Sequence, residues 1–199
     1  MRHIVLLGDS VFDNGAYVAG GPDVVQQLRS VTPAGSKSTL CAIDGAVASD
    51  VKAQLARVPA DATHLVVSAG GNDALREAGI LEAPARSVAD ALDRLAAARD
   101  RFQSDYIAML DQIMLRHLPT AVCTIYEPRF PEQLQRRRAA TALTVLNDCI
   151  TREVYARRLS LIDLRVLFDS DDDFANPIEP SVKGGMKLAQ AVSRFVTER

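Results

Sequence analysis

The chain has 199 residues, of which 48% are hydrophobic and 24% are charged, and its formal net charge is −2. These proportions exclude an intrinsically disordered chain, because disorder requires low hydrophobicity together with high net charge. A nucleic-acid partner is also disfavoured, since no basic stripe is present to neutralise phosphates. For this length we expect one domain that spans residues 1–199.

Targeting and redox signals are weak. The apolar run at residues 4–7 is too short for a signal peptide, and no stretch approaches the roughly 18 apolar residues of a membrane span. We therefore expect a cytoplasmic protein with no membrane partner; its oligomeric state stays open. Cys41, Cys123 and Cys149 are widely spaced in apolar stretches. They are predicted to be small buried hydrophobic residues, which fits a reducing compartment, and no metal or organic cofactor is indicated.

Short β-branched runs alternate with amphipathic helical patterns along the chain. Strands are predicted at residues 3–7, 38–43, 64–69, 120–126 and 160–164, and helices at 22–29, 48–58, 87–117, 131–157 and 182–196. Ser87, with Asp90 three residues later, is predicted to cap the long third helix. Residues 70–73 are predicted to form a turn, and residues 169–180 a loop. This alternation predicts a parallel sheet with helices on both faces.

Polar side chains follow the strands at the edge where an α/β sheet binds its ligands, outside the carboxyl ends of the strands. In chain order they are Ser10, Gly45, Asn72, Tyr126 with Arg129, and Asn176 with Glu179. Because the carboxyl ends of parallel strands share one edge, we expect these residues to converge there.

The residue types at this edge are suited to acyl transfer. A serine at the tip of a strand can present its hydroxyl as a nucleophile. Gly45 allows its backbone N–H to approach a substrate oxygen closely, and Asn72 supplies a side-chain amide. With the N–H of Ser10 they would form an oxyanion hole, in which each donor contributes about 3 kcal/mol. Each element alone is ordinary turn chemistry; the order of all of them along successive strands favours a catalytic site.

These residues resemble the sequence blocks of the GDSL, or SGNH, hydrolase family. The matching segments are Gly8-Asp9-Ser10, Gly45, Gly70-Gly71-Asn72-Asp73 and Pro180-Ser181-Val182-Lys183-Gly184. The resemblance covers essentially the whole chain. It implies a three-layer α/β/α, flavodoxin-like fold with a five-stranded parallel sheet in the order 2-1-3-4-5. It also implies hydrolysis of esters, thioesters or acetylated sugars through an acyl-serine on Ser10.

The chain departs from the family pattern in the fifth block. The family has an aspartate there and, three residues later, a histidine before Pro-Ser; here Asn176 and Glu179 stand at those positions. His3, His64 and His117 are predicted to lie at the opposite, amino edge of the sheet. A strand of five or six residues is about 17–20 Å long, so none of them reaches Ser10.

Two interpretations of the fifth block remain open. In the first, Glu179 is the general base and Asn176 orients it by a hydrogen bond without adding a second negative charge. A glutamate has an ordinary pKa of about 4.3, so this role requires burial to raise the pKa towards neutrality. In the second, the protein is a weak or inactive relative that uses the same donors to bind an acyl or carboxylate ligand.

Further residues near this edge are candidate substrate contacts. Asp13 and Asn14 either line the substrate pocket or form a turn before the next helix. Tyr126 lies on the loop after the fourth strand. Arg129, on the same loop, either binds an anionic group or pairs with Glu127. The expected partner of the whole site is a small-molecule acyl ester.

Overall fold

The computed structural model describes residues 2–198, so the first and last positions of the predicted domain lie outside the described residues. Five parallel strands form one sheet in the order β2-β1-β3-β4-β5. They are β1 (His3–Gly8), β2 (Lys37–Leu40), β3 (His64–Ser68), β4 (Thr120–Cys123) and β5 (Ser160–Ile162). The predicted parallel sheet and its strand order are confirmed.

Helices cover both faces of this sheet. They are α1 (Val24–Val31), α2 (Val51–Leu55), α3 (Gly71–Glu77), α4 (Val88–Met114), α5 (Gln133–Ala156), α6 (Leu164–Leu167) and α7 (Val182–Thr197). Because successive side chains of a strand point to opposite faces, β1 contributes to two cores. Ile4 and Leu6 pack in the core that contains α1 and α7, whereas Val5 and Leu7 pack in the core that contains α2, α4 and α5. The three-layer architecture follows.

The two longest helices extend beyond the sheet. Helix α4 has 27 residues and α5 has 24, which corresponds to about 40 Å and about 36 Å at 1.5 Å per residue. Strand β4, which connects them, has only 4 residues. Both helices begin at the carboxyl edge of the sheet, and the predicted cap of α4 is confirmed because Ser87 accepts a hydrogen bond from the Asp90 amide. Their first turns therefore form a wall beside the edge where the site is expected.

Two segments differ from the sequence prediction. Residues 70–73 do not form an isolated turn; α3 begins at Gly71, after Gly70 has taken a φ of 123°. The segment predicted as a loop contains an antiparallel hairpin of β6 (Phe174–Asn176) and β7 (Glu179–Pro180). Strands of three and two residues are too short to show an alternating pattern in the sequence, which is why the hairpin was missed.

All three cysteines are buried and free, as predicted. Among residues 2–198, no helix is both long enough and apolar enough to cross a membrane. That same part of the chain contains no group of three or more His, Cys, Asp or Glu side chains that could hold a metal ion.

Candidate active site

The loop that carries Ser10 depends on a glycine at the end of β1. Gly8 has a φ of 121°, and a Cβ atom at this position would lie 1.6 Å from the carbonyl oxygen of Ser68. Only glycine allows the first strand to approach β3 this closely. The next amide, that of Asp9, donates to the same Ser68 oxygen at 3.1 Å. The chain then turns, and Ser10 follows at the carboxyl edge.

Two side-chain amides, which the sequence analysis missed, hold the ends of the central strands. Gln54 accepts a hydrogen bond from the Gly8 N–H and donates one to the Gly8 carbonyl, both at 2.7 Å. Asn147 makes the same pair of bonds with Ile125, both at 2.8 Å. Both side chains are nearly inaccessible to solvent. The sequence does carry a signal for both: each is a polar residue on the otherwise apolar, buried face of a helix. A buried amide requires hydrogen-bond partners, so such a residue is expected to bond to the backbone nearby.

Ser10 and Glu179 meet at the centre of the site although 169 positions separate them. The Ser10 hydroxyl donates a hydrogen bond to Oε1 of Glu179 at 3.1 Å. Ser10 is 7% exposed and Glu179 6% exposed. Burial raises the pKa of Glu179 to about 7; the negative charge of Asp44 adds to the rise, and the bond from Ser10 opposes it. A carboxylate that titrates near neutrality and contacts a hydroxyl has the two properties that a general base needs.

Asn176 does not orient this carboxylate, contrary to the sequence hypothesis. Its side-chain oxygen accepts a hydrogen bond from the Ile178 amide at 2.9 Å and closes the turn of the hairpin. Asn176 is exposed whereas Glu179 is buried, so the two side chains occupy different environments despite their cross-strand pairing. Within the described residues, Oε2 of Glu179 is buried and has no hydrogen-bond partner.

The three predicted oxyanion donors come from neighbouring loops. Within residues 2–198, the backbone N–H groups of Ser10 and Gly45 donate no hydrogen bond. Asn72 donates one N–H of its amide to the Ala46 carbonyl at 3.0 Å, which leaves its second N–H for a ligand. Gly45 is exposed and has a φ of 79°. The Asn72 bond ties the loop that carries Gly45 to the start of α3.

A cavity of about 210 Å³ opens beside these groups. Ser10, Asn72, Tyr126 and Glu179 all contribute to its wall, as predicted for a common site. Asp9 also contributes, although the sequence predicts only local hydrogen bonds within its loop for this residue. The remainder of the wall consists mainly of apolar side chains from α3, α4 and α5.

Asp9 is the second titratable group at this site. It is 2% exposed, and one of its carboxylate oxygens accepts a hydrogen bond from the Val11 amide at 3.2 Å. Burial raises the pKa of Asp9 to about 8, and the nearby charges of Glu179 and Asp73 raise it further, while the Val11 amide opposes the rise. This carboxyl group therefore keeps its proton at neutral pH.

Three predicted substrate contacts form hydrogen bonds to the β6–β7 hairpin or to neighbouring loops, and of these Tyr126 also lines the cavity. Asn14 donates to the Pro180 carbonyl at 3.2 Å and accepts from the Val24 amide at 3.0 Å. The Tyr126 hydroxyl donates to the Ile178 carbonyl. Asp13 accepts a hydrogen bond from the Asp44 amide at 3.0 Å. In the described part of the chain, neither Asp13 nor Asn14 forms part of the cavity wall.

Arg129 also supports the hairpin, and its predicted pairing with Glu127 is wrong. Its guanidinium group pairs with Asp171 at 3.1 Å and lies over the ring of Phe174, 5.3 Å from the centroid. It donates a further hydrogen bond to the Phe168 carbonyl at 3.2 Å. These partners lie around the hairpin, so the guanidinium group is engaged there and not with Glu127.

The histidines lie at the starts of strands and at the end of α4. His3 contacts Asp61 at 2.8 Å and Thr39 at 2.7 Å. His64 contacts the Thr63 hydroxyl at 2.8 Å. None of the three histidines contributes to the described cavity wall, so Glu179 is the titratable group in hydrogen-bond contact with the Ser10 hydroxyl.

Comparison with known proteins assigns the chain to a family. The model of the GDSL-like lipase/acylhydrolase family matches residues 6–185, and the chain belongs to that family. No curated protein matches it.

Solved structures with the same fold come from distant relatives. An extracellular lipase from Streptomyces rimosus is 18% identical, with a TM-score of 0.70 over 100% of this chain and 99% of that one. A phospholipase A1 from Streptomyces albidoflavus is 17% identical, with a TM-score of 0.66 over 99% and 98%. A psychrotrophic esterase from Pseudoalteromonas, which was solved with monoethylphosphonate as inhibitor, is 16% identical, with a TM-score of 0.65 over 100% and 98%.

Proposed function

We propose that this protein hydrolyses acyl esters through an acyl-enzyme on Ser10, with Glu179 as the general base. The observation that carries the proposal is the 3.1 Å hydrogen bond between the buried Ser10 hydroxyl and the buried Glu179 carboxylate. Membership of the acylhydrolase family supports the reaction class.

The first half-reaction forms the acyl-enzyme. Glu179 takes the hydroxyl proton as Oγ of Ser10 attacks the ester carbonyl carbon. The carbonyl oxygen becomes an oxyanion, which the N–H groups of Ser10 and Gly45 and the amide of Asn72 stabilise. Collapse of this intermediate breaks the bond to the alcohol oxygen, and the departing alcohol takes the proton from Glu179.

The second half-reaction returns the free enzyme. A water molecule gives a proton to Glu179 as its oxygen attacks the acyl carbon. The carbonyl oxygen is again stabilised as an oxyanion, and collapse releases the carboxylic acid while Oγ of Ser10 regains the proton. Glu179 acts alone in both halves, since no described side chain orients its second oxygen. We therefore expect slow turnover of activated esters.

Hydrolysis of p-nitrophenyl acetate between pH 5 and 9 tests this function. Ser10→Ala is expected to abolish turnover, and Glu179→Gln to reduce kcat at least about 100-fold, the lower end for loss of a general base. Glu127→Gln is the matched control, because Glu127 is exposed on the neighbouring loop and its loss should leave the rate unchanged. A fluorophosphonate probe should label wild-type protein but not Ser10→Ala.

Two results would count against the proposal. Unchanged kinetics in Glu179→Gln would remove the base role. Absence of both labelling and turnover would instead favour the alternative function, in which the same donors bind an acyl or carboxylate ligand without hydrolysis.

A further inference from the structure

The cavity beside Ser10 has a distribution of polar and apolar groups that constrains the substrate. Its catalytic end carries Asp9, Ser10, Asn72 and Glu179. Further polar side chains come from the last turn of α3, the segment that follows it and the first turn of α5; they are Glu77, Glu82 and Gln135. The polar side chains of the wall therefore come from two groups of elements, the loops at the carboxyl edge of the sheet and the helices beyond it.

The rest of the wall is mainly aliphatic. Its members include Leu75, Leu81, Leu95, Ala98, Ala139 and Leu143. They belong to α3 and the turn after it, to the first half of α4 and to the first half of α5. On α5 the wall extends from Gln135 to Leu146, which is about 16 Å along the helix axis. The cavity is therefore an elongated groove between helices that begins at the nucleophile.

The charge of this groove excludes several ligand classes. Within the described residues its wall contains no lysine or arginine, so a phosphate or other anionic group would have no cationic partner there. A sugar is also poorly matched, because recognition of its hydroxyl groups needs hydrogen-bond partners that an aliphatic wall does not supply. An uncharged hydrocarbon chain matches the wall, since its transfer from water is favourable for every methylene buried.

The volume of the groove sets the length of such a chain. A protein cavity of about 150 Å³ holds benzene, which has six carbons. By the same ratio, the 210 Å³ groove accommodates about eight carbons. The small side chains Ala98 and Ala139, from α4 and α5, are 7% and 9% exposed and leave space that larger residues would fill.

We propose that this groove binds the acyl chain of the substrate, and that the protein acts on esters of medium-chain acids of about eight carbons. This inference rests on the proposed ester hydrolysis at Ser10 and specifies the acid from which the ester is formed. The ester carbonyl lies at the oxyanion donors, the acyl chain runs between α4 and α5, and the alcohol leaves towards the open side of the site.

A series of p-nitrophenyl esters with acyl chains of two to sixteen carbons tests the proposal. We expect kcat/KM to rise about fourfold for each methylene buried up to about eight carbons, and then to level off or fall. Ala139→Phe fills the groove and should lower the ratio of octanoyl to acetyl kcat/KM about 16-fold, equivalent to two methylenes that no longer fit.

Matched variants separate an effect on the groove from damage to the fold. Ala142→Phe, at a half-buried position on the same wall, should change the ratio in the same direction. Ala140→Phe places the same side chain one residue along α5, outside the described wall, and should leave the ratio unchanged. A flat chain-length profile in a wild-type enzyme that requires Ser10 would overturn the groove assignment and leave the proposed function intact.

Two other outcomes have their own measurements: binding of the alcohol chain instead of the acyl chain, and a complete absence of turnover. Faster hydrolysis of octyl acetate than of ethyl acetate, without preference among acyl chains, would assign the groove to the alcohol and refute the proposal. If no ester is hydrolysed, calorimetry with octanamide and acetamide on Ser10→Ala still tests the groove. Tighter binding of octanamide, weakened by Ala139→Phe, supports it, and equal binding of the two amides contradicts it.

Discussion

Replacement of Glu179 by glutamine should stabilise the protein while it removes activity. The carboxyl group has a pKa of about 7 in the folded protein, against an ordinary value of 4.5. At about 1.4 kcal/mol per pH unit, the folded state disfavours the ionised form by about 3 kcal/mol. Glutamine has nearly the same shape, can still accept the bond from Ser10 and carries no charge that must lose its hydration.

The pH dependence of this gain has a defined direction. Below about pH 4.5 the carboxyl is protonated in the folded and unfolded states alike, so wild type and Glu179→Gln should be equally stable. Between pH 4.5 and 7 the unfolded chain ionises while the folded protein keeps its proton. The free energy of unfolding of the wild type therefore falls relative to the variant as pH rises, and the full difference is reached above pH 7.

Thermal unfolding monitored by circular dichroism at pH 4 and pH 8 measures the difference. For a chain of this length each kcal/mol shifts Tm by about 2–4 °C, so Glu179→Gln should unfold about 6–12 °C higher at pH 8 and at the same temperature at pH 4. Glu127→Gln, which alters an exposed carboxylate, should show neither change. Equal Tm values for Glu179→Gln and wild type at pH 8 would refute the argument that burial of the charge raises the pKa.

Two further outcomes follow from the described contacts. Wild-type kcat/KM should rise with pH through about 7 as Glu179 loses its proton, and fall above about 8 as Asp9 ionises beside the oxyanion donors. Asp9→Asn should abolish the fall and keep the rise. If the fall above pH 8 is unchanged in this variant, Asp9 is not its cause. Asn147→Ala leaves the N–H and C=O of Ile125 without their buried partners, at about 1–3 kcal/mol for each group, so urea unfolding should show a loss of about 2–6 kcal/mol. A loss below about 1 kcal/mol would mean that this pair of bonds does not hold the end of β4.

The fold and the position of Ser10 could be predicted from local patterns, but the surroundings of Glu179 could not. A strand that ends in Gly8 and is followed by Ser10 defines a turn at a known edge of the sheet, because short-range chain geometry determines it. Asn14 and Arg129 have the residue types of substrate contacts, and their partners are 166 and 42 positions away in the chain. Pattern and propensity carry no information about such pairings, so the sequence indicated that both residues lie near the site but not what they bind.

In the proposed mechanism Glu179 takes the place of the family's histidine, and the same contacts bear on how it is positioned. Glu179 lies on the short hairpin β6–β7, which cannot fix its own position because isolated short hairpins are marginally stable. Asn14 bonds the hairpin to the Ser10 loop, and Tyr126 bonds it to the end of β4. Arg129 lies over Phe174 of the hairpin, whose ring also contacts Tyr126. The backbone of Glu179 is therefore held by the scaffold, and a side chain that reaches Ser10 directly needs no second residue to aim it. The cost is that, within the described residues, no partner stabilises Oε2 when the carboxylate is ionised, so burial, together with the charge of Asp44, brings its pKa towards neutrality.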